Sequence, residues 1–131
     1  MIEEMMKEAQ DIQEFTELLI PDDINGAIEH GAMLAVYLTR TGKMLADAKK
    51  LLSDAKRAEI MDTLKRFGRE AGATAQMLND LVKSACHREQ YLVDWLDRLN
   101  STITHQMDFT RSIISKAKAE MNMNNFGGGG V

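Results

Sequence analysis

Apolar residues recur at helical spacing along almost the whole chain. Between Ala73 and Met121, the residues Leu78, Val82, Ala85, Leu92, Leu96, Leu99, Ile103, Met107, Ile114, Ala117 and Met121 fall on one helical face. Only Glu89 and Thr110 interrupt that stripe. A second stripe, displaced by roughly 100° around the axis, carries His87, Tyr91, Trp95, Arg98, Thr102, His105, Phe109, Ser112 and Lys116. The pattern predicts one long helix over 73–121.

Upstream, Ile2, Met5, Ala9, Ile12, Thr16 and Leu19 predict an amphipathic helix over about 2–20, with acidic residues on its other side. Pro21 ends it, because the ring lacks the N–H that would continue the ladder. Asp22 or Asp23 then caps a second helix over about 23–67, with Ile28, Gly31, Ala35, Leu38, Gly42, Leu45 and Leu52 along one side. Ala27, Gly31 and Ala35 stand four apart, as do Gly42 and Ala46, which lets two helix backbones approach closely. Ser53-Asp54 offers a kink near 53, yet apolar steps resume with Ile60, Leu64, Phe67 and Ala71. Gly68 and Gly72 mark the next turn, Gly68 as a left-handed C-cap. Residues 122–131, ending in four glycines and Val131, read as a flexible tail in which Phe126 is the one anchor-sized side chain.

These elements predict an all-α fold in a single domain, 1–121. A helix over 73–121 would be about 74 Å long at helical rise, whereas a compact globule of this chain length is about 36 Å across. Either the helix breaks, around Asn100 to Thr104, or the molecule is an elongated antiparallel helical hairpin, bundle-like or coiled-coil-like, with the N-terminal helix added and a second copy covering the remaining apolar surface. The second is the expectation adopted. A hairpin turning near residue 70 sets positions summing to about 140 opposite one another, so His30 would face Phe109 and His105, and Lys49 with Lys50 would face Tyr91.

Composition adds boundaries to this picture. Hydrophobic residues make up 44% and charged residues 27% of 131, a balance that supports a folded core rather than a disordered chain. The single Cys86 excludes an intrachain disulfide and suits a reducing compartment. The acidic N-terminus does not read as an export signal and no apolar run is long enough to span a bilayer, so a cytoplasmic protein is expected. Charge is uneven: eight acids against Lys7 within residues 1–23, then nine bases against six acids within 24–72. The acidic segment is expected to pack beside the basic one, although Arg40, Lys43, Lys49, Lys50, Lys56 and Arg57 could alternatively form a phosphate-binding face.

Candidate chemistry is sparse. His87 and His105 lie about 27 Å apart along one helix and cannot share an ion within a chain. Glu29 or His30 could meet His105 and Asp108 across the hairpin, with an interhelical hydrogen-bonded histidine as the plainer alternative. Nucleophile-elbow and phosphate-loop motifs are absent, so neither catalysis nor a cofactor is expected. The aromatic stripe supplies the candidate binding surface: His87, Tyr91, Trp95 and Arg98 include the side chains that dominate binding hot spots, with Lys49 and Lys50 beside them if the register holds. The same stripe could instead be a flank of the core. A phosphate- or carboxylate-bearing ligand, or an acidic partner helix, would suit these features, and neither nucleic acid nor a membrane is expected as partner.

Two resemblances bear on function. Glu14-x-x-Glu17 and Glu59-x-x-Asp62 resemble the two halves of the acidic motif of all-helical, magnesium-dependent nucleotide pyrophosphohydrolases, with a longer gap between the halves than that family's pattern. This gives the alternative function, a metal-dependent hydrolase. The run from Leu38 to Leu52, and the stretch from Leu99 through His105, Phe109 and Arg111 to Lys118, resemble parts of small helical proteins of bacteriophages and prophages of gut bacteria. That resemblance implies an accessory role, such as sequestering a host protein or a small signalling molecule.

Overall fold

The computed structural model describes residues 1–67 and 75–129, with side chains for 1–66 and 75–124. Among them are four helices: α1 (Ile2–Thr16), α2 (Ile24–Phe67), α3 (Ala75–Ala85) and α4 (His87–Gly129). The fold is all-α, with the helices packed on one another and the most extensive contact between α2 and α4. No helix among the described residues is long and apolar enough to cross a membrane.

The α2 and α4 helices run antiparallel, and their register is close to that read from the sequence. A Cβ built on Gly31 would lie 3.0 Å from Thr110 Cγ2, and Asn100 Nδ2 donates to Thr41 Oγ1 at 2.9 Å and to the Leu38 carbonyl at 3.3 Å. Both pairs, 31 with 110 and 41 with 100, sum to 141. At Gly31 any larger side chain would press on the buried Thr110, which is the close approach that the small-residue ladder predicted. The α2 helix is unbroken through Ser53 and runs on to Phe67.

The α1 helix lies against the middle of this hairpin, antiparallel to α2 and parallel to α4. Arg40 holds Glu8 in a two-pronged pair at 2.5 and 2.7 Å, and Arg88 pairs with Glu3. The acidic first helix therefore does pack beside basic residues. Both carboxyls sit below the usual range, each first through the guanidinium hydrogen bond. The core beneath combines Ala9 and Ile12 of α1, Leu34, Met44 and Ala48 of α2, and Leu92, Leu96, Leu99 and Ile103 of α4.

Four expectations are corrected. The first helix ends at Thr16 rather than near residue 20: Gln106 Nε2 donates to the Thr16 carbonyl at 2.7 Å, supplying from α4 the partner that further helical turns would have provided. The second helix turns its inner face about one residue from the predicted one. Ala27, Leu34, Thr41, Met44 and Ala48 are buried, while Ile28 and Ala35 are exposed; the contacts of Gly31 with Thr110 and of Thr41 with Asn100 hold this face towards α4.

The predicted single helix over 73–121 is interrupted at Cys86, not around Asn100 to Thr104. There the His87 ring takes the Ser84 carbonyl, Nδ1 to O at 3.2 Å, a side-chain partner at the point where the helix breaks. Finally, α4 continues helical to Gly129, beyond the predicted end at Met121, despite the low helix propensity of its asparagines and glycines there. The side chain of Phe126 and the turn at Gly68 and Gly72 lie outside the described residues.

The start of α2 is fixed by side-chain capping. Asp23 Oδ2 accepts the Gly26 N–H at 2.8 Å, which makes Asp23 the N-cap. A Cβ at Gly26 would meet Asp23 Oδ1 and Pro21 Cβ at 2.7 Å, so the chain folds back over a residue that must be glycine.

His30 is buried, 8% exposed, and stacks on Phe15 at 4.6 Å between ring centroids and 17° between planes. Phe15 in turn contacts Tyr37 at 5.0 Å, so it sits between two α2 rings two helical turns apart. His30 Nε2 has no hydrogen-bond partner among the described residues, and desolvation pushes its pKa below the ordinary value of 6.5.

Two outcomes follow. Leu96 is fully buried, so Leu96→Ala should cost about 3 kcal/mol by urea denaturation, whereas Val36→Ala, at a side chain 58% exposed, should stay within about 0.5 kcal/mol. For His30, the unfolded chain binds the proton more readily than the fold does. Stability should therefore be fully present above pH 6.5 and fall as the pH drops through and below it. In thermal melts His30→Phe should flatten that dependence; an unchanged slope in the variant would show that His30 does not drive it.

Candidate functional site

At Cys86, where the backbone keeps its bonds from Cys86 N–H to the Val82 carbonyl and from Gln90 N–H to the Cys86 carbonyl, a groove of about 500 Å³ lies between the three helices that meet there. Leu52 of α2 and Cys86 form its apolar floor, both buried. Lys56 of α2 and Lys83 of α3 line it, and α4 contributes His87, Gln90, Tyr91 and Asp94. These residues converge because the hairpin register sets Lys56 level with Cys86, and because the interruption exposes the first turn of α4 beside the last turn of α3.

The electrostatics of the groove are uneven. Gln90 Nε2 donates to Asp94 Oδ1 at 2.9 Å, which occupies that carboxylate, while Lys56 and Lys83 hold no ion pair among the described residues. The His87 Nδ1 faces the Ser84 carbonyl, so this nitrogen carries the hydrogen and a neutral ring offers only a lone pair at Nε2. Burial pushes the Cys86 thiol up, with Glu89 and Glu59 adding to the effect, so Cys86 stays a protonated wall element rather than a nucleophile.

Of the residues singled out from the sequence, His87 and Tyr91 enter this groove together. Trp95 stands one turn on, with its ring 5.8 Å from Tyr91, but it is half-buried against the core and its Nε1 donates to Gln13 Oε1 of α1 at 3.1 Å. It therefore fastens α1 to α4. Arg98 is exposed further along and has no hydrogen bond or ion pair among the described residues. Lys49 is exposed outside the groove, and Lys50 lines a different groove with Met1, Met5 and Glu8 while pairing with Asp54 at 3.6 Å. The cations at Tyr91 are Lys56 and Lys83 instead. Lys56 was visible only as a member of the alternative phosphate face and Lys83 not at all, because they come from two helices that the fold brings together.

The proposed phosphate face is likewise divided: Arg40 is held by Glu8, Lys43 by Asp47 at 2.8 Å and Lys50 by Asp54. Among the described residues no three metal-ligating side chains come together. His30 faces Phe15 rather than His105, which is exposed. Glu14 and Glu17 lie at the end of α1, level with the first half of α2, whereas Glu59 and Asp62 stand in its last part, on the order of 40 Å further along. The two acidic halves of the hydrolase-like motif do not meet in one chain, and Asp62 is paired with Arg66 at 3.3 Å.

These placements separate two neighbouring aromatic residues by role. Trp95→Ala should destabilise the fold by about 2–3 kcal/mol, because it removes half-buried area and the Gln13 hydrogen bond. Tyr91→Ala, at an exposed ring, should change stability by less than about 0.5 kcal/mol. Urea titrations of both variants check the split, and equal losses would contradict it. No family model, curated protein or solved structure matches the chain, so its function is argued from its own surfaces.

Proposed function

We propose that this chain is a non-catalytic helical binding protein that self-associates and takes an anionic partner in the groove at Cys86. The observation that carries the reading is the juxtaposition of an apolar floor, an exposed tyrosine and two unpaired lysines within one groove. Such a surface suits a ligand with a flat or apolar body and a carboxylate or phosphate group, or an acidic helix of a partner protein. A phage accessory protein that sequesters a host protein or a small phosphate-bearing ligand in the cytoplasm is the setting this chemistry suits.

Support for self-association comes from the apolar side chains left outside the core. Ile60, Met61, Leu64, Met77 and Leu81 are exposed at the α2–α3 end, and Leu18, Leu19 and Phe109 at the other. Exposed apolar residues grouped in this way mark interaction surfaces more often than free surface.

Native mass spectrometry of protein taken directly from cells reports copy number and retained ligand together. Calorimetric titration with inorganic pyrophosphate and with an acidic helical peptide then tests the groove. Binding should weaken about tenfold in Lys56→Ala with Lys83→Ala. A monomer that binds neither probe would overturn the reading.

A further inference from the structure

The two ends of the hairpin differ in shape and in charge. Where α1 turns into α2, the chain leaves a shallow, open cup of about 510 Å³ lined by Leu18, Leu19, Ile20, Phe109 and Ile113 and by the polar Gln106, Glu17 and Asp22. Leu19 is 94% exposed there. A leucine held this far out of the core, beside a half-exposed phenylalanine, forms part of a patch and not a scattered surface residue.

At the opposite end, α2 and α3 stand clear of α1 as a two-helix arm. Met61, Leu64, Met77 and Leu81 project from it, about half exposed each. Arg57, Met61 and Lys65 follow one another at four-residue steps and so share one row of α2. Neither Arg57 nor Lys65 holds an ion pair among the described residues, in contrast to Arg66, which is neutralised by Asp62. Methionine side chains suit such a projection, since they adapt to an irregular receptor.

We propose that copies of this chain associate head to tail, the arm of one copy seating Met61 and Leu64 in the cup of the next. Arg57 and Lys65 of the first copy then meet Glu17 and Asp22 of the second. The charge pattern selects this arrangement over the pairing of like ends: two arms would bring Arg57 and Lys65 against their own copies, and two cups would oppose Glu17 and Asp22 to theirs. Because the joined surfaces differ, the contact repeats, and the assembly closes into a ring or extends as a filament. This inference rests on the self-association reading above and names the surfaces it uses.

Charge exchange between two variants tests it. The first carries Arg57→Glu and Lys65→Glu, the second Glu17→Lys and Asp22→Lys; all four side chains are exposed, and circular dichroism checks that helix content is retained. In sedimentation velocity at low salt, wild-type protein should form oligomers that weaken as salt rises. Each variant alone should associate at least about tenfold more weakly, and mixing the two should restore association, because each acidic surface then meets a basic one. Leu19→Ser provides an uncharged check, with a comparable loss expected. Association of both variants at wild-type strength, or failure of the mixture to recover, would overturn the head-to-tail contact and leave self-association standing; a monomeric wild type would overturn both.

Discussion

The hydrogen bonds from Asn100 across the seam to Thr41 and the Leu38 carbonyl are the constraint on which the arrangement depends. Leucines and isoleucines along α2 and α4 would pack tolerably in several registers, since dispersion contacts carry no address. Sliding α4 by one turn would part the half-buried Asn100 amide from both acceptors, while the buried Thr41 hydroxyl would keep its own bond to the Leu38 carbonyl at 3.2 Å. An amide stranded in this way costs roughly 1–3 kcal/mol. The Gly31 and Thr110 approach adds a steric condition two turns or more away along the same seam. Polar pairing and close contact together fix the alignment that apolar burial stabilises.

Once that alignment is set, the rest of the chain has defined places. Gln106 reaches the Thr16 carbonyl, Trp95 reaches Gln13, and Phe15 enters between His30 and Tyr37. All three contacts hold α1 across the middle of the hairpin and leave the ends without a third helix. The exposed apolar residues at each end are a direct result of this: two helices alone cannot cover a face broad enough for three. The same register brings Lys56 beside the interruption at Cys86, so the groove and the bare ends have one origin.

Much of this organisation is legible in the order of residues. The α4 stripe through Leu92, Leu96, Leu99 and Ile103 is buried as its periodicity predicts, and the turn near residue 70 leads to nearly the observed pairing. What sequence could not show has a physical cause in each case. Cys86 lies among good helix-forming neighbours with no glycine or proline, and the break depends on the His87 ring satisfying a carbonyl. The rotation of α2 goes with Gly31 meeting Thr110 and Thr41 meeting Asn100, contacts that carry little hydrophobic signal in the sequence. His87 and Tyr91 of the groove were visible as part of the aromatic stripe, while Lys56 and Lys83 needed the fold to join them.

An engineered disulfide across the seam tests the alignment most directly. A Cβ on Gly31 would stand 3.9 Å from Thr110 Cβ, within the usual separation for a bridged pair. Gly31→Cys with Thr110→Cys, in a chain also carrying Cys86→Ser, should oxidise rapidly and quantitatively to an intrachain bridge when dilute, as peptide mapping would report. A slow or purely intermolecular reaction at this pair, with rapid bridging of Gly31→Cys to Ile114→Cys one turn away, would contradict the register and everything built upon it.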